Sequence, residues 1–319
     1  MNLPGSPLVE EFGEAFSVRR LLVTGATGFI GWHLCRELVG LGAEVHALAR
    51  GATTVNVPAG CKVWAVDMAD VEALRQAMGV VRPDTVFHLA SVVDARQDRG
   101  LVLPLLHSNL VAAIHLALVC EELGCGHIVA VGSSEEPVNH EVETAPMSPY
   151  AAAKASATVY FRMFHRVFGL PVVILRPFLT YGPRQASRTK LIPYTISMLL
   201  RGESPKLGSG RRVCDFIFVA DVVRGLLKAG LTDNVFGRTL DLGTGVGTSV
   251  REVIELLVGL SGSRARPNFG ALPDRLGEHA QVADNAATRR LLGWEPRWSL
   301  RKGLAATIEW YRHHPDDLS

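Results

Sequence analysis

Apolar residues in this chain gather in short runs separated by amphipathic stretches, an alternation that starts near Arg19. RRLLVTG is an apolar run ending on Gly25, and FIGWHLCRELVGLG has helical spacing closed by Gly42. AEVHALAR, CKVWAVD and DTVFHLAS read as the second, third and fourth strands, with a helix at VEALRQAMG before the last. SNLVAAIHLALVCEELG predicts a long helix that Ser108 or Asn109 caps. HIVAVGSS and PVVILRP are the fifth and sixth strands. None of these runs shows the alternation of a half-exposed strand, so the sheet should be covered on both faces. Strand and helix in turn predict an α/β fold built on a doubly wound parallel sheet.

The style changes after Pro177, where Pro, Gly and basic residues crowd the segment 181–210. A strand-like CDFIFV, a helix starting near Asp221 and a strand TLDLG follow. A helix at SVREVIELLVGL, a loop with Pro and Arg, and a last helix ending at Trp310 close the chain. The expected division is a loose leader over 1–16 and a sheet domain over 17–178 with returns at about 213–243. Residues 179–212 and 244–319 should form a smaller, mostly C-terminal substrate-binding lobe over the sheet's carboxyl edge, where open α/β sheets hold their ligands.

Composition narrows the function. The 319 residues are 48% hydrophobic, ample for a packed core, so disorder is not expected. Thirty-three Lys and Arg against 31 Asp and Glu leave a charge of +2, which gives no reason to expect nucleic acid or an anionic membrane as partner. The five Cys are scattered without a CxxC pair. Neither a disulfide framework nor a zinc site is expected, and reduced thiols fit a cytoplasmic location. The acidic N-terminus lacks the basic-then-apolar order of a signal peptide, and no run approaches 18 uninterrupted apolar residues, so a membrane span is not expected.

Gly25, Gly28 and Gly31 lie in VTGATGFIG, between the first strand and the first helix. That placement suits a phosphate-binding turn. Gly25 permits the tight bend, Gly28 lets a pyrophosphate approach the backbone, and Gly31 allows helix and strand to pack closely. The GxxGxxG spacing is one residue longer than the GxGxxG form. An acid ending the second strand would select NAD, whereas an Arg accommodates a 2′-phosphate. The strand ends Ala47-Leu48-Ala49-Arg50, so NADP(H) is favoured and NAD(H) remains possible. Asp67 could accept from an adenine amino group, and Asp70 is the better helix cap.

Tyr150 and Lys154 are four apart in SPYAAAKASATVYF, on one face of a helix. An ammonium beside a phenol should lower the phenol's pKa toward neutrality, making Tyr150 a proton carrier at a sugar hydroxyl or carbonyl. Lys154 could also hold the nicotinamide ribose. Ser133, Ser134, Glu135 and Glu136 follow the fifth strand. A Ser there could bind the reacting oxygen, and a carboxyl could act as a second acid or base or orient sugar hydroxyls.

Taken together, TGATGFIG, Asp67, His88 to Ala90, SSEE, Tyr150 with Lys154, RPFLTYGP, the Asp215–Val222 segment and ADNAATRRLLGWEP resemble the extended short-chain dehydrogenase/reductases that act on nucleotide sugars. The resemblance runs from about Arg19 to Tyr311. It implies a Rossmann-type fold and a Ser-Tyr-Lys constellation at Ser133 or Ser134, Tyr150 and Lys154, with Glu135 as a further catalytic candidate. It also implies cofactor contacts from the glycine loop (Gly25, Thr27, Gly28, Phe29, Ile30, Gly31) and from Arg50, Asp67 and Met68. Leu89, Ala90, Ser91, Asn109, Tyr150, Lys154 and Pro177 complete that set. Substrate contacts fall on Glu136, Thr180, Lys190, Leu191, Arg212 and Arg275, and no metal is implied. Pro137 and Val138 stand where the family has Tyr and Gly, Leu179 where it has Asn, and Cys214 where it has Arg. Arg211, Arg212 or Arg275 would then meet the diphosphate.

Three reactions share this scaffold. The missing acid and Arg50 favour NADPH-dependent reduction of a nucleotide-linked 4-keto-6-deoxyhexose. The alternatives are an NAD-dependent 4-epimerase or 4,6-dehydratase and, in another class, a non-catalytic NADP(H)-binding sensor. A homodimer through a four-helix bundle, built by the long helix and the Tyr150 helix, is a further expectation.

Overall fold

The computed structural model describes residues 7–51, 56–137, 145–185, 189–274 and 280–315. The chain divides into two compact units. The first holds residues 1–176 and 223–240, and the second 177–222 and 241–319.

The first unit is built on a seven-stranded sheet. Its strands are β1 (Arg20–Thr24), β2 (Glu44–Ala49), β3 (Lys62–Ala65), β4 (Thr85–His88), β5 (Ile128–Val131), β6 (Val172–Pro177) and β10 (Thr239–Leu242), in the spatial order β10-β6-β5-β4-β1-β2-β3. Neighbours from β3 across to β6 pair in parallel. The doubly wound Rossmann-type sheet expected from the apolar runs is therefore present. Its order reverses between β1 and β4, and a sheet of this kind opens a crevice beyond the carboxyl ends of such a pair. Helices α2 (Phe29–Gly40), α3 (Val71–Val81), α5 (Ala112–Glu122) and α6 (Pro149–Phe168) belong to this unit. Leu22, Leu74, Met78, Val86, Leu116, Ile128, Phe161 and Val172 share one core cluster, but the edge strand β3 is largely exposed, so the expected cover on both faces does not extend to it.

Two expectations change here. The leader is not loose over its described part: helix α1 (Pro7–Phe12) carries Leu8 and Phe12, Phe16 is fully buried, and Glu11 pairs with Arg224 and Lys228 of α8 (Val219–Ala229) at 3.3 and 3.1 Å. Leu8 and Phe12 lie four apart on α1, an apolar face that the surrounding acids disguise, and Phe16 follows just past the helix. The long helix does not begin at Ser108 either. A turn at Arg99–Leu101 leads into α4 (Val102–Leu105), then a π-helical turn at Leu106–Val111, then α5. Ser108 and Asn109 sit inside that wider turn, which turns Asn109 into the protein. By length and composition the run Arg99–Glu122 could cross a membrane, but Leu105, Ala112, Leu116, Val119 and Cys120 on it are packed in the interior.

The second unit has a three-stranded sheet in the order β11-β9-β7, from β7 (Leu179–Tyr181), β9 (Val213–Phe218) and β11 (Gly247–Ser249). Strand β9 thus pairs outside the main sheet, so the chain's return to that sheet is narrower than the expected 213–243. Helices α7 (Leu191–Leu200), α9 (Val250–Ser261) and α11 (Leu300–His313) pack with it around Ile196, Phe218, Ile254, Leu304 and Tyr311. Asp215 holds this unit's loops, accepting from Thr244 N and Gly245 N at 2.7 Å each.

Candidate active site

The glycine loop leaves β1 at the sheet's switch point. Gly25 has φ of +71°, and a Cβ on it would lie 2.7 Å from Ala90 N. A Cβ on Gly31 would meet Gly25 O at 2.1 Å, so α2 crosses the loop backbone to backbone. Thr24 stitches the loop to the exit of β4: its Oγ1 accepts from Ala90 N at 3.1 Å and shares a 2.8 Å bond with His88 Nδ1. Leu89 N donates to Thr24 O at 3.2 Å.

Helix α6 presents Tyr150, Lys154 and Thr158 as one stripe at four-residue spacing. Ser148 caps it by accepting from Ala151 N at 3.1 Å, Pro149 fixes its first turn, and Gly169 ends it in the left-handed region. Tyr150 and Lys154 are buried, 6% and 5% exposed, beside the loop that follows β5. Ser133 is the buried serine of that loop, and its hydroxyl lies close enough to the Tyr150 phenol to favour the phenolate. Ser134 is only half-buried. Of the two candidate serines, Ser133 is thus the more buried. Glu135 N donates to Ser133 Oγ at 3.2 Å.

Burial pushes the Tyr150 phenol up to about 12; the nearby Ser133 hydroxyl opposes the rise, and the Glu136 and Glu135 carboxylates add to it. Burial pulls Lys154 down to about 8, against the attraction of Glu136. Lys154 Nζ donates to Val131 O. The expected lowering of the phenol by its neighbour is thus not what the structure shows: desolvation governs both groups, and the ammonium's hydrogen bond goes to a carbonyl. His88 is fully buried near Lys154 and is pulled down to about 3, first by burial and then by that lysine, so it stays neutral.

Three features fit a dinucleotide in this unit. Gly28 is the exposed glycine of the loop, where a Cβ would meet only Gly25 O, at 3.2 Å, so a ligand can approach its backbone. Gly28 starts α2 with no side-chain cap, so the first helical N–H groups face outward from a positive dipole end. Ser91 Oγ is buried without a fully formed hydrogen bond. Thr27, Phe29 and Ile30 are half-buried around the loop, and Leu89 and Ala90 abut it. Arg50 is exposed just past β2 and Met68 is buried. Asp67 is exposed, and its Oδ1 accepts from Ala69 N at 3.0 Å; Asp70 caps α3.

Two other candidate residues are engaged by bonds within the protein. Asn109 accepts from Val92 N at 2.8 Å and donates to Val92 O at 2.9 Å, so it pins the segment after β4. Glu136 is turned inward. It is 4% exposed, and its carboxylate accepts from Ser133 N at 2.7 Å and from Thr158 Oγ1 at 2.8 Å. The sequence reading passes over Thr158, although its place four residues after Lys154 puts it on the same face.

In the second unit, Pro177 is buried at the end of β6 and Thr180 Oγ1 donates to Phe178 O at 2.9 Å. Lys190 and Leu191 open α7, and Arg212 Nη2 donates to Gln281 Oε1 at 2.8 Å. Arg275 lies outside the described residues. Among the described residues no cluster of side chains is arranged to hold a metal ion.

Sheet, glycine turn and Tyr-Lys helix together define a dinucleotide-binding protein of the Rossmann type. The chain belongs to the NAD dependent epimerase/dehydratase family, whose model matches residues 21–243. It is 30% identical to a UDP-glucose 4-epimerase of Mycolicibacterium smegmatis, over 92% of this chain and 99% of that protein. It is 32% identical to a dTDP-glucose 4,6-dehydratase of Streptomyces griseus, over 92% and 94%. The crystal structure of a UDP-glucuronic acid 4-epimerase from Bacillus cereus, in complex with UDP-glucuronic acid and NAD, superposes with a TM-score of 0.82 at 26% identity, covering 92% of this chain and 99% of that one.

Proposed function

We propose that this protein is a nucleotide-sugar 4-epimerase that keeps and recycles NAD, in place of the NADPH-consuming 4-ketoreductase expected from Arg50. The names of its relatives support a nucleoside diphosphate sugar as substrate and NAD as cofactor. Gly25, Gly28, Gly31, Ser91, Tyr150 and Lys154 would hold that cofactor, which when bound supplies a hydride acceptor, then a donor, and a positive ring charge.

The chain's own residues then move protons. Tyr150 takes the proton from the sugar's C4 hydroxyl as that carbon is oxidised and returns it when the ketone is reduced from the other face. Ser133 holds the reacting oxygen, its hydroxyl close to the phenol. A phenol at about 12 is a poor base by itself. The ring charge of the oxidised cofactor would favour phenolate, so proton removal is tied to the oxidised state. Thr180, Lys190, Leu191, Arg212 and Arg275 are the candidates for the nucleotide end of the substrate.

The commitment of Glu136 carries the choice of reaction. A 4,6-dehydratase must take a proton from C5 and protonate the departing C6 hydroxyl, work that calls for acid and base groups besides Tyr150. Here Glu136 spends its carboxylate on Ser133 N and Thr158 Oγ1, and among the described acids of this loop Glu135 alone is partly exposed. The Streptomyces griseus relative keeps the dehydratase as the second reading.

Incubation with UDP-glucose and with dTDP-glucose distinguishes these. The epimerase yields the C4 epimer with no net change in nicotinamide absorbance. Appearance of a 4-keto-6-deoxy sugar, or steady NADPH consumption on such a sugar, would overturn the assignment.

We propose in addition a homodimer through the two helices expected to form a bundle. Val102, Leu103 and Leu106, and Val159, Tyr160 and Val167 on α6, are large apolar side chains left exposed in the single chain.

A further inference from the structure

Glu136 is a buried carboxyl whose use the proposed reaction does not explain. It folds back into a reciprocal turn, in which Ser133 N donates to its Oε1 at 2.7 Å and its own N donates to Ser133 O at 3.1 Å. The other oxygen accepts from Thr158 on α6 at 2.8 Å. Gly132 is what lets it turn inward: a Cβ there would lie 2.6 Å from Glu136 Oε1 and 3.0 Å from Arg176 Cγ. The carboxylate therefore joins two elements that reach the site separately, the loop carrying Ser133 and the helix carrying Tyr150 and Lys154.

The geometry points to Glu136 as a positioning residue: it clamps the Ser133 loop to α6 and thereby sets Ser133 against the Tyr150 phenol, without itself touching substrate. This rests on the epimerase reading only for the reaction it tunes; the clamp is a property of the fold. The charged and titratable groups facing it are Lys154 of α6, Arg176 of β6 and the Tyr150 phenol, whose proton affinity it raises together with Glu135. On the far side of Lys154, His88 is neutral. Removing the Glu136 charge while keeping its shape should therefore lower the proton affinity of both Lys154 and Tyr150, and move the pH–rate profile toward acid.

Glu136→Gln, Glu136→Ala and Thr158→Val separate clamp from charge. In E136Q the side-chain amide keeps an acceptor for Ser133 N, and the Thr158 hydroxyl can rotate to accept. We expect E136Q to keep kcat within about threefold with an acid-shifted profile, and E136A to lose about 10- to 100-fold in kcat with little change in the sugar KM, as sub-ångström misplacement of a reacting group does. T158V should fall between them, and E136A with T158V should be no worse than E136A alone. Hydrogen exchange of the peptide spanning Ser133 reads the clamp without any turnover. Protection should survive in E136Q, drop in T158V and be lost in E136A, with NAD binding intact in all three. Equal kcat in E136A and wild type, or unchanged protection of Ser133 in E136A, would overturn the proposal. So would an E136Q that retains protection but is as slow as E136A, since the carboxyl would then be acting on substrate. If the wild type turns over no nucleotide sugar, the epimerase reading fails and the exchange measurements alone decide the clamp.

Discussion

Replacing Lys154 with Met removes a charge that folding holds out of water. The ammonium's ordinary pKa of 10.5 falls to about 8 in the folded protein, with burial as the main cause. A gap of roughly 2.5 in pKa, at about 1.4 kcal/mol for each, means that the charged form costs the native state about 3 kcal/mol. Met fills a similar volume and has no charge to desolvate, but the charge-assisted bond from Lys154 Nζ to Val131 O is lost, worth about 1.5 kcal/mol. The K154M variant should therefore be more stable than wild type by about 1.5 kcal/mol near pH 7, while losing turnover. The sign with pH follows from linkage. The unfolded chain keeps the lysine proton up to about 10.5 and the folded chain only to about 8, so wild-type stability is depressed below pH 8 and recovers as pH rises through that window. Tyr150 does not intrude below its ordinary value of 10.0, because it is protonated in both states there. Urea denaturation of both proteins without cofactor, from about pH 7 to 10, is the assay. The advantage of K154M should shrink steadily above pH 8. Equal stability near pH 7, or a difference that does not vary with pH, would refute the view that Lys154 is a strained, function-bearing charge.

Three other outcomes are expected. Gly31→Ala should abolish dinucleotide binding and cost at least about 2 kcal/mol of stability, because its Cβ would sit 2.1 Å from Gly25 O; calorimetric titration with NAD checks this. Phe16→Ala should cost about 3–5 kcal/mol in urea denaturation, since the ring is fully buried although it precedes the first strand of the sheet. Leu103→Glu combined with Val159→Glu should turn a dimeric mass by light scattering into a monomeric one without loss of the fold, as both side chains are 63% exposed in the single chain.

What is legible in the sequence is what local geometry dictates. Gly25 and Gly31 are demanded by close backbone contacts next to a strand end, and Tyr150 and Lys154 by helical spacing, so both can be placed from the chain alone. Side-chain direction is not legible where a distant residue decides it. Glu136 looks like any loop acid until Gly132 opens room behind it and Thr158, 22 residues on, supplies a donor. Asn109 looks like a helix cap because nothing in its neighbours announces a π turn, and its partner Val92 lies 17 residues back. Spacing suggests a pull of Lys154 on Tyr150, yet burial outweighs it for both groups. The preference drawn from Arg50 rests on one exposed side chain, and the family's NAD dependence weighs against it.

Central to the proposed reaction is a hydride that leaves and returns to one carbon while Tyr150 handles the proton. Incubation with a nucleoside diphosphate hexose carrying deuterium at C4, followed by NMR of the product, tests this directly. We predict deuterium retained at C4 of both epimers, no net reduced nicotinamide, and loss of all conversion in Tyr150→Phe. Deuterium appearing at C6, or a product formed only with stoichiometric NADPH, would contradict it.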